Sequence, residues 1–345
     1  MEHRYLGTAG LLVSEFSLGT MTFGAPGWGC TEEESHRIIA SFLDQGGTSI
    51  DTADVYAGGE TERIIGSFLP NIRRDDVVIA SKCNFPAANN PLAVGSARKH
   101  IVASVEASLR RLGTDYLDVY YLHRNDPTVR AEEIAETFDL LIRQGKVLYP
   151  ALSNLPAWRM VHINQALKSR ATTPFVAGQY MYNLVDRTAE QELIPAMVSE
   201  GIGMVCWSPL AGGLLTGKYK GVETVPADSR FEYRKALDVP RFWTERSLTI
   251  ARKLMALSQE RTISPVTLSL GWLLSKPYVT SVIVGARTLS QLTENLSVDW
   301  RLIPSDMLDL LDQLSEPERS YFWTFNEETN TYFANRGRPF PGMLV

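Results

Sequence analysis

Four polar residues stand at or just beyond the ends of apolar runs: Asp51 and Tyr56 in TSIDTADVY, Lys82 in VVIASK and His123 in DVYYLH. A strand buried on both faces has room for such groups only at its open end. If these runs are neighbouring parallel strands, a carboxylate, a phenol, an ammonium and an imidazole meet at one rim. A free phenol ionises near ~10, so it is a reluctant acid or base at neutral pH. An ammonium beside its oxygen stabilises the phenolate and lowers that value. Asp51 would pair with Lys82, and His123 would hydrogen-bond a carbonyl held near Tyr56. Such a set can move a proton to or from an oxygen during reaction at the adjoining carbon. Each member alone has a plainer reading: a helix cap for Asp51, a structural imidazole beside Arg124 and Asp126 for His123, a buried ion pair for Lys82. Their joint occurrence at the same end of consecutive strands favours function.

The elements that must position them follow a repeat. The β-type runs EFSLGT, TSID, VVIASK, DVYYLH, KVLYPALSN, FVAGQY, GMVCWS and SVIVGA alternate with helical patterns. TEEESHRIIASFLDQG opens on a Thr cap with Glu three residues on and closes at Gly46–Gly47. Later helical segments end at Gly113, Gly145 and Gly201, where a left-handed residue is wanted. Alternation predicts right-handed βαβ units, and eight strands predict closure into a (β/α)₈ TIM barrel. An open doubly wound sheet usually carries GxGxxG after its first strand, and this chain has none.

Three segments stand outside the repeat. Residues 1–15 read as an N-terminal β-hairpin turning at Ala9–Gly10 and covering the barrel's closed end. Residues 208–245 read as a long Gly- and Pro-containing loop after the seventh strand, of a length that is usually functional or mobile. The C-terminal tail from Leu302 holds a helical piece, SDMLDLLDQLSE, and then YFWTF. Its Phe322, Trp323 and Phe325 either close the pocket or pack under the last helix. No linker interrupts the chain, so residues 1–345 read as a single domain.

Composition sets the outer bounds. The chain has 345 residues, 44% hydrophobic and 21% charged, as in ordinary soluble globular proteins. A formal charge of −5 without a basic cluster argues against a nucleic-acid partner. Apolar runs stay below the ~18 residues of a membrane span, and MEHRYLGTAG lacks a signal-peptide pattern. Cys30, Cys83 and Cys206 form no CxxC pair, which fits a reducing compartment. The expected location is therefore cytoplasmic, with no membrane partner. The histidines at 3, 36, 100, 123 and 162 show no ligand spacing, so no metal is expected. A homo-oligomeric state stays open.

DTADVY, the Lys of VVIASK and YYLH resemble the signature of the aldo-keto reductase superfamily. SNLPAW, QYMYN, WSPLAGGLLTGKY and VIVGARTLSQLTENL add to the resemblance, in family order from about Gly19 to Asn295. The resemblance implies a nicotinamide cofactor bound in an extended pose without a Rossmann motif, usually NADPH. It makes Tyr56 the general acid, tuned by Lys82 and Asp51, with His123 orienting the carbonyl.

It also assigns the cofactor residues. Gly19, Thr20 and Met21 would approach the nicotinamide ribose, and Asp51 is counted among the cofactor residues as well. Ser153, Asn154 and Gln179 would hydrogen-bond the carboxamide, and Trp207 would stack on the ring and exclude water. Ser208, Leu210, Gly212 and Lys218 would wrap the pyrophosphate, with Arg230 as a further clamp. Gly285, Arg287, Gln291, Glu294 and Asn295 belong to the last strand–helix junction. A helix N-terminus attracts phosphate, and the fork of Arg287 suits a 2′-phosphate, which favours NADPH over NADH. The chain departs from common patterns at Pro150–Ala151, before SNLPAW, where relatives often have glycine. At the mouth, Trp28 in FGAPGWGC reads as a wall of the substrate pocket or an exposed turn aromatic, and Phe85 and Asn125 lie nearby.

The leading functional expectation is reduction of a small-molecule aldehyde or ketone to an alcohol with NADPH. A second is a nucleotide-sensing accessory subunit, like the barrel subunits of potassium channels, which share the WSPLAGGLLTGKY-type loop. A third is a keto-sugar reductase of a biosynthetic pathway.

Overall fold

Strands β1 (His3–Tyr5) and β2 (Leu12–Ser14) pair antiparallel and precede the main sheet. That sheet comprises β3 (Phe16–Gly19), β4 (Ser49–Asp51), β5 (Val78–Cys83), β6 (Leu117–Leu122), β7 (Val147–Ser153), β8 (Ala177–Met181), β9 (Gly203–Trp207) and β10 (Val279–Gly285). Each pairs with the next in parallel, and β10 pairs back onto β3, so the sheet is a closed barrel. Helices follow the strands around the outside, as the alternation predicts. The computed structural model describes residues 1–86, 90–219, 225, 227, 229–334 and 336. No helix among them is long and apolar enough to cross a membrane.

Strand periodicity decides what fills the barrel. Successive side chains point to opposite faces. Val78 and Ala80 of β5, Val119 and Tyr121 of β6, Ala151 of β7, Ala177 of β8, Val205 of β9 and Ile283 of β10 form one interior cluster. Two residues further along those strands stand Lys82, His123, Ser153, Gln179, Trp207 and Gly285. The polar groups are thus the top layer of a packed barrel, at the strand ends where such folds carry chemistry.

The hairpin closes the other end. Leu6 and Val13 join the interior cluster from below, and Thr8 N donates to Gly201 O at 2.9 Å. The turn lies at Leu6–Ala9, with Ala9 N on Leu6 O at 3.2 Å, and not at the expected Ala9–Gly10. Gly7 is the reason: it adopts φ 60° and a Cβ there would come within 2.4 Å of Gly201 O. Gly203 meets it from the barrel side, where a Cβ would lie 2.5 Å from Gly7 N. Gly203→Ala is therefore expected to cost about 1–3 kcal/mol through overpacking, read as a lowered urea midpoint. An unchanged midpoint would mean that the hairpin is free to lift.

Local signals set the helix ends. Thr31 caps Glu32–Asp44 by accepting from Glu34 N at 3.3 Å, and Gly113 and Gly201 end their helices at φ 64° and 72°. Residues 208–245 are not the open loop that their Gly and Pro content suggests. They contain helical segments Ala211–Thr216, Arg230–Tyr233 and Lys235–Phe242. Tyr219, Phe231, Phe242 and Trp243 stack edge to face and hold these together. The tail aromatics do not close the cleft: Phe322 and Phe325 are exposed on a helix over Tyr321–Ala334. Trp323 lies on the outer flank, beside Arg187, Gln191 and Asp312.

Candidate active site

Lys82 is fully buried at the end of β5, and its ammonium donates to Asp51 Oδ1 at 2.5 Å and to Thr52 O at 2.8 Å. Gln179 Nε2, across the barrel on β8, donates to Asp51 Oδ2 at 2.7 Å. Both carboxylate oxygens of Asp51 are therefore engaged. Expected to meet a carboxamide, the Gln179 amide here completes the Asp51–Lys82 pair. Burial works against the Lys82 ammonium, but Asp51 and Tyr56 outweigh it and hold its pKa above the usual lysine value. Lys82 is thus a fixed cation.

Lys82 Nζ stands 5.1 Å from the Tyr56 ring centroid. Burial raises the pKa of the phenol, Lys82 pulls it down and Asp51 raises it, leaving it above 10.0. Tyr56 is therefore a proton donor at neutral pH. The rings of Tyr56 and His123 meet edge to face at 6.1 Å, and Phe85 packs edge-on against His123 at 4.7 Å. Burial first, and then the Lys82 charge, depress the His123 pKa well below the usual imidazole value, so the ring is neutral. Its Nδ1 is buried without a partner, which leaves Nε2 to face the cleft. The expected quartet is assembled.

Other expected positions form the surrounding rim. Ser153 Oγ donates to Gln179 O at 2.8 Å, while Asn154 Nδ2 donates to His123 O at 3.1 Å. Trp207 Nε1 donates to Asn154 Oδ1 at 3.2 Å, and Arg241 lies 5.3 Å from the Trp207 ring centroid. Thr20 is turned inward, donating to Asp51 O at 2.8 Å, and Met21 lies beside it, partly buried. Ser208, at φ 52°, accepts from Asn183 Nδ2 through its carbonyl oxygen at 2.9 Å. Leu210 O accepts from Gly213 N at 2.8 Å, and Gly212, at φ 69°, packs under Phe231.

The junction after β10 is tied together locally. Arg287 N donates to Gln291 Oε1 at 2.9 Å and Arg287 Nη1 to Trp28 O at 3.2 Å. Asn295 Nδ2 donates to Gly285 O at 3.4 Å, and Glu294 faces solvent. Trp28 has Arg230 and Arg234 over its ring at 6.0 Å each. Its ring and carbonyl are thus engaged by Arg230, Arg234 and Arg287 rather than by the quartet.

Two features fit a dinucleotide. Gly19 and Gly285 are register partners on β3 and β10, and a Cβ on Gly285 would meet nothing nearer than Gly19 O at 3.7 Å. The rim is open at Gly285, whereas a Cβ on Gly19 would lie 2.6 Å from Ile283 Cγ2. Next to it, burial and then the charges of Arg287 and Arg230 lower the Lys218 pKa. Lys218, Arg230 and Arg287 are thus close enough to feel one another, a grouping of positive charge that would suit an anion. Two surface cavities, of about 360 and 290 Å³, lie elsewhere, at Glu2, Glu15 and Arg301 and at Arg187 and Trp323. Neither borders the quartet.

Sequence reasoning passed over Asp238, Arg241 and Asp54. Asp238 is fully buried and shared by Arg230 at 2.7 Å, Arg234 at 3.1 Å and Arg241 at 3.5 Å. Its signal was an acid spaced eight, four and three residues from the arginines of RFEYRKALDVPR. Asp54 lies behind the quartet, with both carboxyl oxygens buried and unpartnered. Burial and the Glu62 charge push its pKa from 3.8 to about 7, against Arg111 and Lys82.

The closed parallel barrel presents a phenol, an ammonium, a carboxylate and an imidazole at one rim, a set able to move a proton at an oxygen. The aldo/keto reductase family model matches residues 15–316, and the chain belongs to that family, whose members generally use NAD(P)H. It is 33% identical to the Bacillus subtilis oxidoreductase YrpG, covering 94% of this chain and all of that protein. It is 36% identical to a probable voltage-gated potassium channel subunit beta of Arabidopsis thaliana, over 92% of this chain and 98% of that one. Identity to the L-glyceraldehyde 3-phosphate reductase of Escherichia coli K12 is 33%, over 86% and 87%.

Proposed function

We propose that the protein is an NADPH-dependent reductase of small aldehydes or ketones, with Tyr56 as general acid. The observation that carries this reading is the convergence of the four groups: the buried Lys82 ammonium lies 2.5 Å from Asp51 Oδ1 and 5.1 Å from the Tyr56 ring centroid, and the Tyr56 and His123 rings meet at 6.1 Å. The dinucleotide would supply a hydride to the carbonyl carbon. His123 Nε2 would hold the carbonyl oxygen, and the Tyr56 O–H would deliver its proton to that oxygen as the C=O bond becomes C–OH. Lys82 would stabilise the phenolate left behind, and Asp51, Gln179 and Thr52 would keep Lys82 in place. Trp207 would take the nicotinamide ring, with Ser153 and Asn154 beside it.

The grouping of Lys218, Arg230 and Arg287 supports the phosphorylated cofactor. Arg287→Ala is expected to lower the preference for NADPH over NADH by about 10–100-fold, as loss of a charge-assisted bidentate contact would. Parallel titrations with both cofactors check it. An unchanged ratio would remove Arg287 from the 2′-phosphate site.

A second reading, a nucleotide-binding accessory subunit with slow chemistry, is favoured by the potassium-channel subunits among the relatives. Multiple-turnover oxidation of NADPH with simple aldehydes separates the two. A single slow turnover that leaves the cofactor bound would favour the subunit.

A further inference from the structure

One cation at the mouth has no partner suited to it. Arg124 follows His123 directly, is partly buried, and makes one hydrogen bond, from Nη1 to Asn125 O at 3.3 Å. It forms no ion pair within 4.0 Å among the described residues. Asp126 is near enough to feel its charge, but its carboxylate is engaged elsewhere. Asp126 Oδ2 accepts from Ser96 N at 2.7 Å, and Oδ1 accepts from Thr128 N at 3.0 Å and Thr128 Oγ1 at 2.6 Å. The arginines across the cleft differ, because Arg230, Arg234 and Arg241 share Asp238. A guanidinium carries five donors in a planar fork, and among the described residues only one hydrogen bond engages that of Arg124.

Its place relative to the chemistry is specific. The Arg124 guanidinium lies 5.8 Å from the Phe85 ring centroid, and the His123 ring lies 4.7 Å from the same centroid, edge-on. The cation and the imidazole that would hold the reacting carbonyl thus both pack on one benzyl ring. A molecule with its carbonyl at His123 and Tyr56 would lie along Phe85 and reach Arg124 a few carbons further on.

We propose that Arg124 anchors an anionic group, a carboxylate or a phosphate, carried by the carbonyl substrate a few carbons from its reacting carbon. This rests on the reductase reading and narrows its substrate class. Phe85 supplies the apolar floor beneath the carbon chain, and the Arg124 fork binds the anion by two parallel N–H···O bonds.

Two matched pairs test it: 4-oxobutanoate against its methyl ester, and glycolaldehyde phosphate against glycolaldehyde. The wild-type protein is expected to favour the charged member of at least one pair by about tenfold or more in kcat/KM, mainly through KM. The pair that shows the preference tells carboxylate from phosphate. Arg124→Gln should bring that ratio close to one, and Arg124→Lys, which keeps the charge but not the fork, should fall between. Raising the ionic strength should shrink the wild-type preference more than that of the Gln variant. A ratio near one in both pairs, or one that Arg124→Gln leaves intact, overturns the anion site while reduction of the neutral members keeps the reductase standing. No turnover of any of the four would sink the reductase reading, and the anchor with it.

Discussion

Tyr56→Phe is expected to lower kcat/KM for any aldehyde the protein reduces by about 10²–10⁴-fold, the range associated with loss of a positioned general acid. The substitution removes one oxygen and keeps the ring that packs against His123 at 6.1 Å. Lys82 keeps its bonds to Asp51 and Thr52, so the barrel end should stay ordered. Cofactor affinity, followed by quenching of tryptophan fluorescence, should change by less than about threefold. That separation matters, because the positions assigned to the cofactor lie on β3, β4, β7 to β10 and the segments after β3 and β7 to β10, and do not include Tyr56. Equal loss of binding and turnover would show that Tyr56 serves the cleft's shape. Full activity in the variant would move the proton donor elsewhere.

The second large effect concerns stability. The Asp54 carboxyl has a folded pKa of about 7 against 3.8 for the free group. Its folded value is raised, so the folded state holds a proton that the unfolded chain has released between those two values. The contribution is fully present below pH 3.8 and is lost as pH rises through about 7. With each pKa unit worth 1.36 kcal/mol, the whole loss is about 4 kcal/mol, and about 3 kcal/mol of it falls between pH 5 and 8. Asp54→Asn mimics the neutral acid and should escape that loss. Urea unfolding of both proteins at pH 5 and pH 8 isolates the effect, since other titrating groups cancel in the difference. The variant's advantage should grow by about 3 kcal/mol across that interval. Parallel pH curves would mean that Asp54 finds water or a cation when it ionises.

The Asp54 carboxyl also shows a design tension. Its backbone N–H donates to Lys82 O at 3.2 Å, so the turn carrying Tyr56 is tied to the strand carrying Lys82. Glu62, fully buried alongside, is satisfied by Ser81 at 2.6 Å and by Arg111 at 2.7 Å. Asp54 has no equivalent, and an unpaired buried carboxylate is costly enough that neutralisation is the cheaper outcome.

Much of the molecule was legible in its residues alone. Apolar runs ending in Asp51, Lys82 and His123 specified parallel strands with chemistry at one end, because the intolerance of strands buried on both faces for charge is a local rule. Thr31, Gly113 and Gly201 marked helix ends for equally local reasons. What those rules could not reach were contacts between distant segments. Gln179 lies 128 residues from Asp51 yet donates to its carboxylate, a pairing that exists only once the barrel closes. The turn at Gly7 depends on Gly201 and Gly203 lying beneath it. The 208–245 segment looked like loop because its Gly and Pro content spoke louder than Phe231 and Phe242, whose burial against Tyr219 and Trp243 shapes it into helices. Arg124 and Asp54 carry ordinary-looking letters. Only the three-dimensional packing, which hands nearby partners to other residues, leaves one with a free fork and the other with a proton it cannot easily give up.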